Sequence, residues 1–148
     1  MTTMVHQDEK SMSKVKEQLE ELADRYGIQI IYAFGSRARE ALEMVEGKRE
    51  SLSPGPSDLD IGIKPERKLT VEEKVKIALA LEDIFDVHRI DLVVIPEVRV
   101  SLAFRIVTGE LLYARDLVYE AEYQLYIMRK KAELIPYERM RQKMILGF

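Results

Sequence analysis

Ser57-Asp58-Leu59-Asp60-Ile61-Gly62-Ile63 sets two carboxylates where a buried strand would carry apolar side chains. Side chains alternate faces along a strand, so Asp58 and Asp60 project from one side while Leu59, Ile61 and Ile63 face a core. Two like charges held that close repel each other. The usual remedy is a divalent cation, and Mg²⁺ is commonly held by one or two carboxylates together with the phosphates of a substrate. A metal site is therefore the leading reading of the stretch. The duller alternative is an exposed strand end with two solvated aspartates, because charged side chains are mostly surface.

Two further stretches bear on that choice. Upstream, Ile28-Gln29-Ile30-Ile31-Tyr32-Ala33-Phe34 reads as a strand rich in β-branched and aromatic residues that runs into Gly35-Ser36-Arg37. Downstream, Arg89-Ile90 opens a strand whose next residue is Asp91, followed by apolar Leu92-Val93-Val94-Ile95 and stopped by Pro96. A third carboxylate thus enters an otherwise apolar strand, with a pair to Arg89 on the same face as its ordinary explanation. Strand, Gly-Ser turn, D-x-D strand and a later lone Asp in a strand together resemble the nucleotidyltransferase superfamily related to DNA polymerase β. Within it they look like the minimal nucleotidyltransferases, the MNT-type antitoxins paired with HEPN toxins.

Composition sets the frame. The chain has 148 residues, near the commonest domain size; 47% are hydrophobic and 33% charged, as in a soluble globular protein. No run approaches the roughly 20 apolar residues of a membrane span, and the N-terminus lacks the apolar block of a signal peptide, so a cytoplasmic location is the default expectation. With no Cys and only His6 and His88, disulfides and thiolate or His-rich zinc centres are not expected, and any metal should be oxygen-ligated. The formal charge of −3 argues against broad nucleic-acid binding. Residues 129–143 nevertheless carry six basic side chains against two acidic ones, a net of +4 that suits either an acidic partner or a solvated helix end.

Residues 1–12 lack periodicity and read as a flexible arm. Ser13 then caps a helix whose Val15, Leu19, Leu22, Ala23 and Tyr26 keep helical spacing up to Gly27. Ala38 to Val45 reads as a second helix, and Gly47 to Ser57 as a turn-rich loop. Thr70 to Glu73 is a capping box for a helix with Val71, Val75, Ala78, Leu79 and Phe85 on one side. Val98 to Thr108 reads as a helix, Leu111 to Tyr113 as a short strand, and Asp116 as the cap of a helix to about Leu134. Pro136 should start a separate last helix. The pattern predicts an α/β (α+β) nucleotidyltransferase fold: a small mixed sheet covered by helices on one face, spanning residues 13–115, with a helical tail at 116–148 that packs on this domain or on a partner.

The resemblance covers nearly the whole chain. Gly35-Ser36-Arg37-Ala38-Arg39 is similar to the family's G-S-R-A-R-G opening, Asp58-Leu59-Asp60 to its D-x-D, and Arg89-Ile90-Asp91-Leu92-Val93 to its third-acid strand; Tyr123 to Leu146 resembles the helical tails of MNT-type antitoxins. Glu40 departs from the family's Gly, and the 21 residues between Ser36 and Asp58 exceed its usual spacing, which puts nucleotide access and choice at issue. The resemblance implies a Mg²⁺- or Mn²⁺-dependent transfer of AMP from ATP to a tyrosine of a HEPN ribonuclease toxin. Asp58 and Asp60 would hold two ions and Asp91 the ion that activates the acceptor hydroxyl. Gly35 and Ser36 would cradle phosphates, with Arg37 or Arg39 adding charge, unless those arginines are merely solvated. The rival readings are a catalytically weak protein of the same fold that masks its partner and a small-molecule nucleotidyltransferase. Self-association through the tail is a further alternative to partner binding.

Overall fold

The computed structural model describes residues 2–146 apart from residue 56; the side chains of residues 2–13 and 145–146, Ile145 of the tail among them, lie outside the description. Among the described residues, β1 (Ile28–Phe34), β2 (Leu59–Pro65), β3 (Ile90–Val94) and β4 (Glu110–Ala114) form one sheet in the order β3-β2-β1-β4. β1 pairs antiparallel with β2 and β4, whereas β2 and β3 are parallel, so the sheet is mixed as the sequence predicts.

β1 is apolar at every position but Gln29, and all the others are buried. A continuous apolar run is what a strand buried on both faces carries. Helices accordingly cover both faces of the sheet, not the single face expected from the sequence. On one face Ile31, Ala33, Leu59, Ile61 and Ile63 lie under α1 (Thr2–Tyr26), α2 (Ala38–Val45) and α3 (Val71–Phe85). On the other, Ile30, Tyr32 and Phe34 pack with Ala103, Ile106 and Val107 of α4 (Val100–Val107) and Ile127 of α5 (Leu117–Leu146).

Local chemistry sets several boundaries as expected. Gly27 follows α1 with φ 67°, the left-handed conformation a glycine adopts without strain. Thr70 Oγ1 accepts from the Glu73 N–H at 3.1 Å while the Thr70 N–H donates to Glu73 Oε1 at 2.9 Å. Asp116 Oδ1 accepts from the Val118 and Tyr119 N–H groups at 2.9 and 3.3 Å.

Three expectations are corrected. α1 begins at Thr2, so the helix takes in the stretch read as an arm instead of starting after Ser13; polar residues without apolar periodicity can still extend a helix that packing has nucleated. α5 continues through Pro136 instead of restarting there, since good helix formers such as Ala132, Glu133 and Leu134 precede the proline and Glu138, Arg139 and Met140 follow it. On α3 the buried residues are Ile77, Leu81 and Phe85, while Val71, Val75 and Leu79 are exposed. Both sets recur at helical spacing, and the bulkier one takes the sheet because it removes more apolar area from water.

α5 is attached through Tyr119, Tyr123 and Ile127, spaced four apart, and through Glu120, which is buried among them. The Tyr32 hydroxyl donates to Glu120 Oε2 at 2.5 Å, tying the central strand to the helix. Burial, and then the Glu120 carboxylate, push the Tyr32 hydroxyl above its ordinary 10.0. Tyr32→Phe strands the buried carboxylate and should lower the unfolding free energy by about 1–3 kcal/mol in denaturant titrations. Because the native state resists forming tyrosinate, this tyrosine's contribution is fully present below pH 10.0 and is lost as pH rises above it. The gap between wild type and Tyr32→Phe should therefore narrow in that range.

Candidate functional site

The predicted acids meet where β1 ends and where β2 and β3 begin. Phe34 is the cross-strand partner of Asp60, and Asp60 is in turn the partner of Asp91. Strand pairing thus sets the two carboxylates side by side, Asp60 half-buried and Asp91 exposed. Gly35 turns the chain away at φ 78°, and a Cβ there would lie 2.5 Å from Asp60 Oδ2. Any other residue would displace that carboxylate. Asp58 lies one residue outside β2, and its Oδ2 is 3.5 Å from Arg89 Nε. Arg89 therefore pairs with Asp58 and not with Asp91, the partner that the ordinary explanation of Asp91 required.

Crowding has an electrostatic cost. Burial raises the Asp60 carboxyl above its ordinary 3.8; repulsion from and hydrogen bonding with Asp91 add to this, as does Asp58, while Arg105 opposes it. Among the described residues no three acids form a ready-made metal cage, and Asp58 is paired with Arg89. The donor set nonetheless fits a hard divalent cation: it is all oxygen, and Mg²⁺ takes one or two carboxylates and completes its shell with water and phosphate. A cation beside Asp60 and Asp91 would also remove their mutual repulsion.

The arginines of the Gly-Ser segment are engaged elsewhere. Arg37 donates from Nη1 to the Ser57 carbonyl at 2.8 Å and from Nη2 to the Ser53 carbonyl. Arg39 Nη1 lies 3.7 Å from Glu110 Oε1. Ser36 is exposed beside Gly35. Glu40 accepts from the Ser53 N–H at 3.0 Å, and that bond holds its carboxyl below the usual range. Together Arg37 and Glu40 pin the long loop, which walls a cavity of about 400 Å³ ending at Asp58, His88 and Arg89. His88 is exposed in the turn before β3, as its position in sequence suggests.

Sequence reasoning missed Arg105. Nothing in the local pattern marks an arginine in the last turn of an amphipathic helix, and only the packing of α4 over β2 shows that its charge reaches Asp60.

A family model described as polymerase beta, nucleotidyltransferase matches residues 17–117, which contain all three acids and the Gly-Ser turn. The chain belongs to this family. No curated protein matches it in sequence. Solved structures share the nucleotidyltransferase fold at low identity. A crystal structure of a toxin-antitoxin with AMP-PNP aligns with TM-score 0.63 and 19% identity over 88% of this chain and 94% of that one. The complex of a tri-AMPylated HEPN toxin with its MNT antitoxin from Shewanella oneidensis gives 0.60 and 18%, over 95% and 96%. A further chain from Shewanella oneidensis gives 0.58 and 15%, over 90% and 93%. Among the described residues no helix is long and apolar enough to cross a membrane.

The raised Asp60 carboxyl carries a stability consequence for the metal-free protein. The native state disfavours the ionised form, so stability falls as pH rises above the ordinary 3.8 of this group. Asp60→Asn should therefore raise the unfolding free energy at neutral pH by about 1 kcal/mol or less, since water screens so open a site. The gain should shrink as pH falls into the carboxylate range, as thermal unfolding across a pH series would show.

Proposed function

We propose that this nucleotidyltransferase transfers AMP from ATP to a hydroxyl of a partner protein, namely a tyrosine of a HEPN-type toxin. The observation that carries the reading is Asp60 set beside Asp91 by strand register, with Gly35 against its carboxylate. A protein that only masks a partner has no physical need to hold repelling acids in this way. The family match and the AMP-PNP and tri-AMPylated-toxin complexes among the fold's neighbours support it from outside the chain.

Asp58, Asp60 and Asp91 are the candidate ligands for Mg²⁺, or Mn²⁺. Bound there, such ions would supply polarisation of the α-phosphate and a lowered pKa for the attacking hydroxyl. The chain's own part is positional. Gly35 leaves the backbone open to phosphate oxygens, the Ser36 hydroxyl offers one more donor, and the exposed Asp91 would receive the acceptor's proton. The acceptor oxygen bonds to the α-phosphorus, the bond from that phosphorus to the bridging oxygen breaks, and its electron pair departs on pyrophosphate.

Partner docking is assigned to the outer half of α5. Beyond Ile127 it carries Leu134, Ile135, Tyr137, Met140 and Met144 in exposed positions, rimmed by Arg129, Lys130, Arg139 and Arg141. An apolar centre with a basic border suits a partner surface, burial giving affinity and charge steering the encounter.

The reaction is tested by incubating the chain with labelled ATP, GTP, CTP or UTP, Mg²⁺ and a HEPN-type protein from its own genome. Transfer of label from ATP to a toxin tyrosine is expected; capture of the toxin without transfer would make the chain a masking protein. Asp58→Asn with Asp60→Asn should abolish Mg²⁺-dependent ATP binding in calorimetry while circular dichroism stays native. Asp91→Asn should keep most of that affinity yet lose turnover by orders of magnitude.

Deleting residues 136–148 should leave a folded, ATP-binding domain, because the described side chains in that stretch are all exposed. It should also abolish toxin capture in a pull-down. Full capture by the truncated chain would place the partner surface elsewhere.

A further inference from the structure

Arg105 is a cation without an ion pair in the chain among the described residues, standing on the side of the sheet that bears Asp60. Its position is fixed by packing at two points. A Cβ at Gly62 would come within 2.3 Å of Ile106 Cγ2, so α4 is seated on β2 two residues from Asp60. A Cβ at Gly109 would come within 2.5 Å of the Ala33 carbonyl oxygen and 3.2 Å of Phe34 Cβ, so the end of α4 also abuts the end of β1. Phe34 precedes Gly35 and faces Asp60 across the sheet. Between these two contacts, the last turn of α4 lies beside the corner formed by Phe34, Gly35 and Asp60. Arg105 occupies that turn, is exposed, and counteracts the acids' repulsion at Asp60.

We propose that Arg105 binds the triphosphate of the nucleotide, taking the part that the sequence motif suggests for Arg37 and Arg39. This rests on the nucleotidyltransferase reading above. The other candidates are committed. Arg37 spends both Nη groups on the carbonyls of Ser53 and Ser57, and Arg39 reaches toward Glu110. A triphosphate lying against the Gly35-Ser36 turn needs positive charge on its open flank, and an unpaired guanidinium on a helix anchored to both neighbouring strands supplies it with little reorganisation. When the bond between α-phosphorus and bridging oxygen breaks, negative charge builds on the departing pyrophosphate, where the same guanidinium can stabilise it.

Calorimetric titration of the Mg²⁺-loaded full chain with each of the four nucleoside triphosphates, and with AMP, tests the assignment. Arg105→Ala should weaken binding of the preferred triphosphate by about 10- to 100-fold, the range expected from losing one hydrogen bond to a charged group. AMP should bind the variant as it binds the wild type. Arg105→Lys should recover part of the loss, because it keeps the charge and gives up the planar fork. Arg105→Gln, which retains most of the side chain's packing, replaces the alanine variant if circular dichroism shows the latter to be unfolded. Unchanged triphosphate affinity in a folded variant overturns the proposal, and so does an equal loss for AMP, which would mark a structural role. A wild type that binds none of the four triphosphates overturns both this assignment and the reading beneath it, whereas a wild type and variant that bind equally well overturn this assignment alone.

Discussion

Backbone pairing between β2 and β3 holds two carboxylates together against their own repulsion. Asp60 and Asp91 are partners in a parallel ladder in which the alternate pairs, Leu59 with Ile90, Ile61 with Leu92 and Ile63 with Val94, are apolar and packed into the core beneath α3, while Gly62 pairs with Val93 on the α4 side. The ladder and that core are collectively worth far more than one ion–ion repulsion near the surface, which amounts to about 1–4 kcal/mol. The backbones that carry the two acids therefore cannot move apart without dismantling the sheet edge. Their crowding is stored in the fold, and a divalent cation held by both would relieve it. Such a break in local rules is what a candidate functional site is expected to show.

The same strand that brings the acids together divides the molecule into two functional sides. Leu59, Ile61 and Ile63 point into the larger core, and Asp60 and Gly62 point to the α4 side. At Gly62 the absent side chain lets Ile106 come down onto the strand, which brings the end of α4 close to the acids. The helix that covers the second face is thus also the element that adds a charged group to the site. α5 is held on that face by the Tyr32–Glu120 hydrogen bond and by Tyr119, Tyr123 and Ile127, leaving its outer half unattached to the domain.

What could be read from the sequence follows from how local each signal is. The three acids and Gly35-Ser36 were legible because each breaks a short-range pattern: carboxylates inside apolar strands, and a glycine directly after one. The capping box at Thr70, the Asp116 cap and the Gly27 terminus are likewise written in adjacent residues. The choice between two apolar faces of α3 was not legible, since Val71-Val75-Leu79 and Ile77-Leu81-Phe85 have equal spacing and only the sheet decides between them. Nor was the second covered face, although β1's unbroken apolar run contained the information. The partners of Arg37, Arg39 and Arg89, and the approach of Arg105 to Asp60, are set by tertiary contact across 16 or more residues, and no periodicity encodes them.

The two departures from the family pattern, Glu40 and the long connection before Asp58, are physically one feature. Glu40 accepts a hydrogen bond from the Ser53 backbone, and Arg37, three residues earlier on the sequence, holds the carbonyls of Ser53 and Ser57. Arg49 adds a third tie, pairing with Glu43 at 3.3 Å and approaching the Ser53 hydroxyl at 3.4 Å. A glycine at position 40 could not accept the Ser53 N–H, so the added loop and the acid that helps to anchor it support each other. The consequence reaches the site directly, because the loop ends at Asp58 and its anchors immobilise the arginine that follows the Gly-Ser turn. An arginine fixed in this way clamps the loop, and on the proposed reading the positive charge for a bound phosphate would come from another part of the fold.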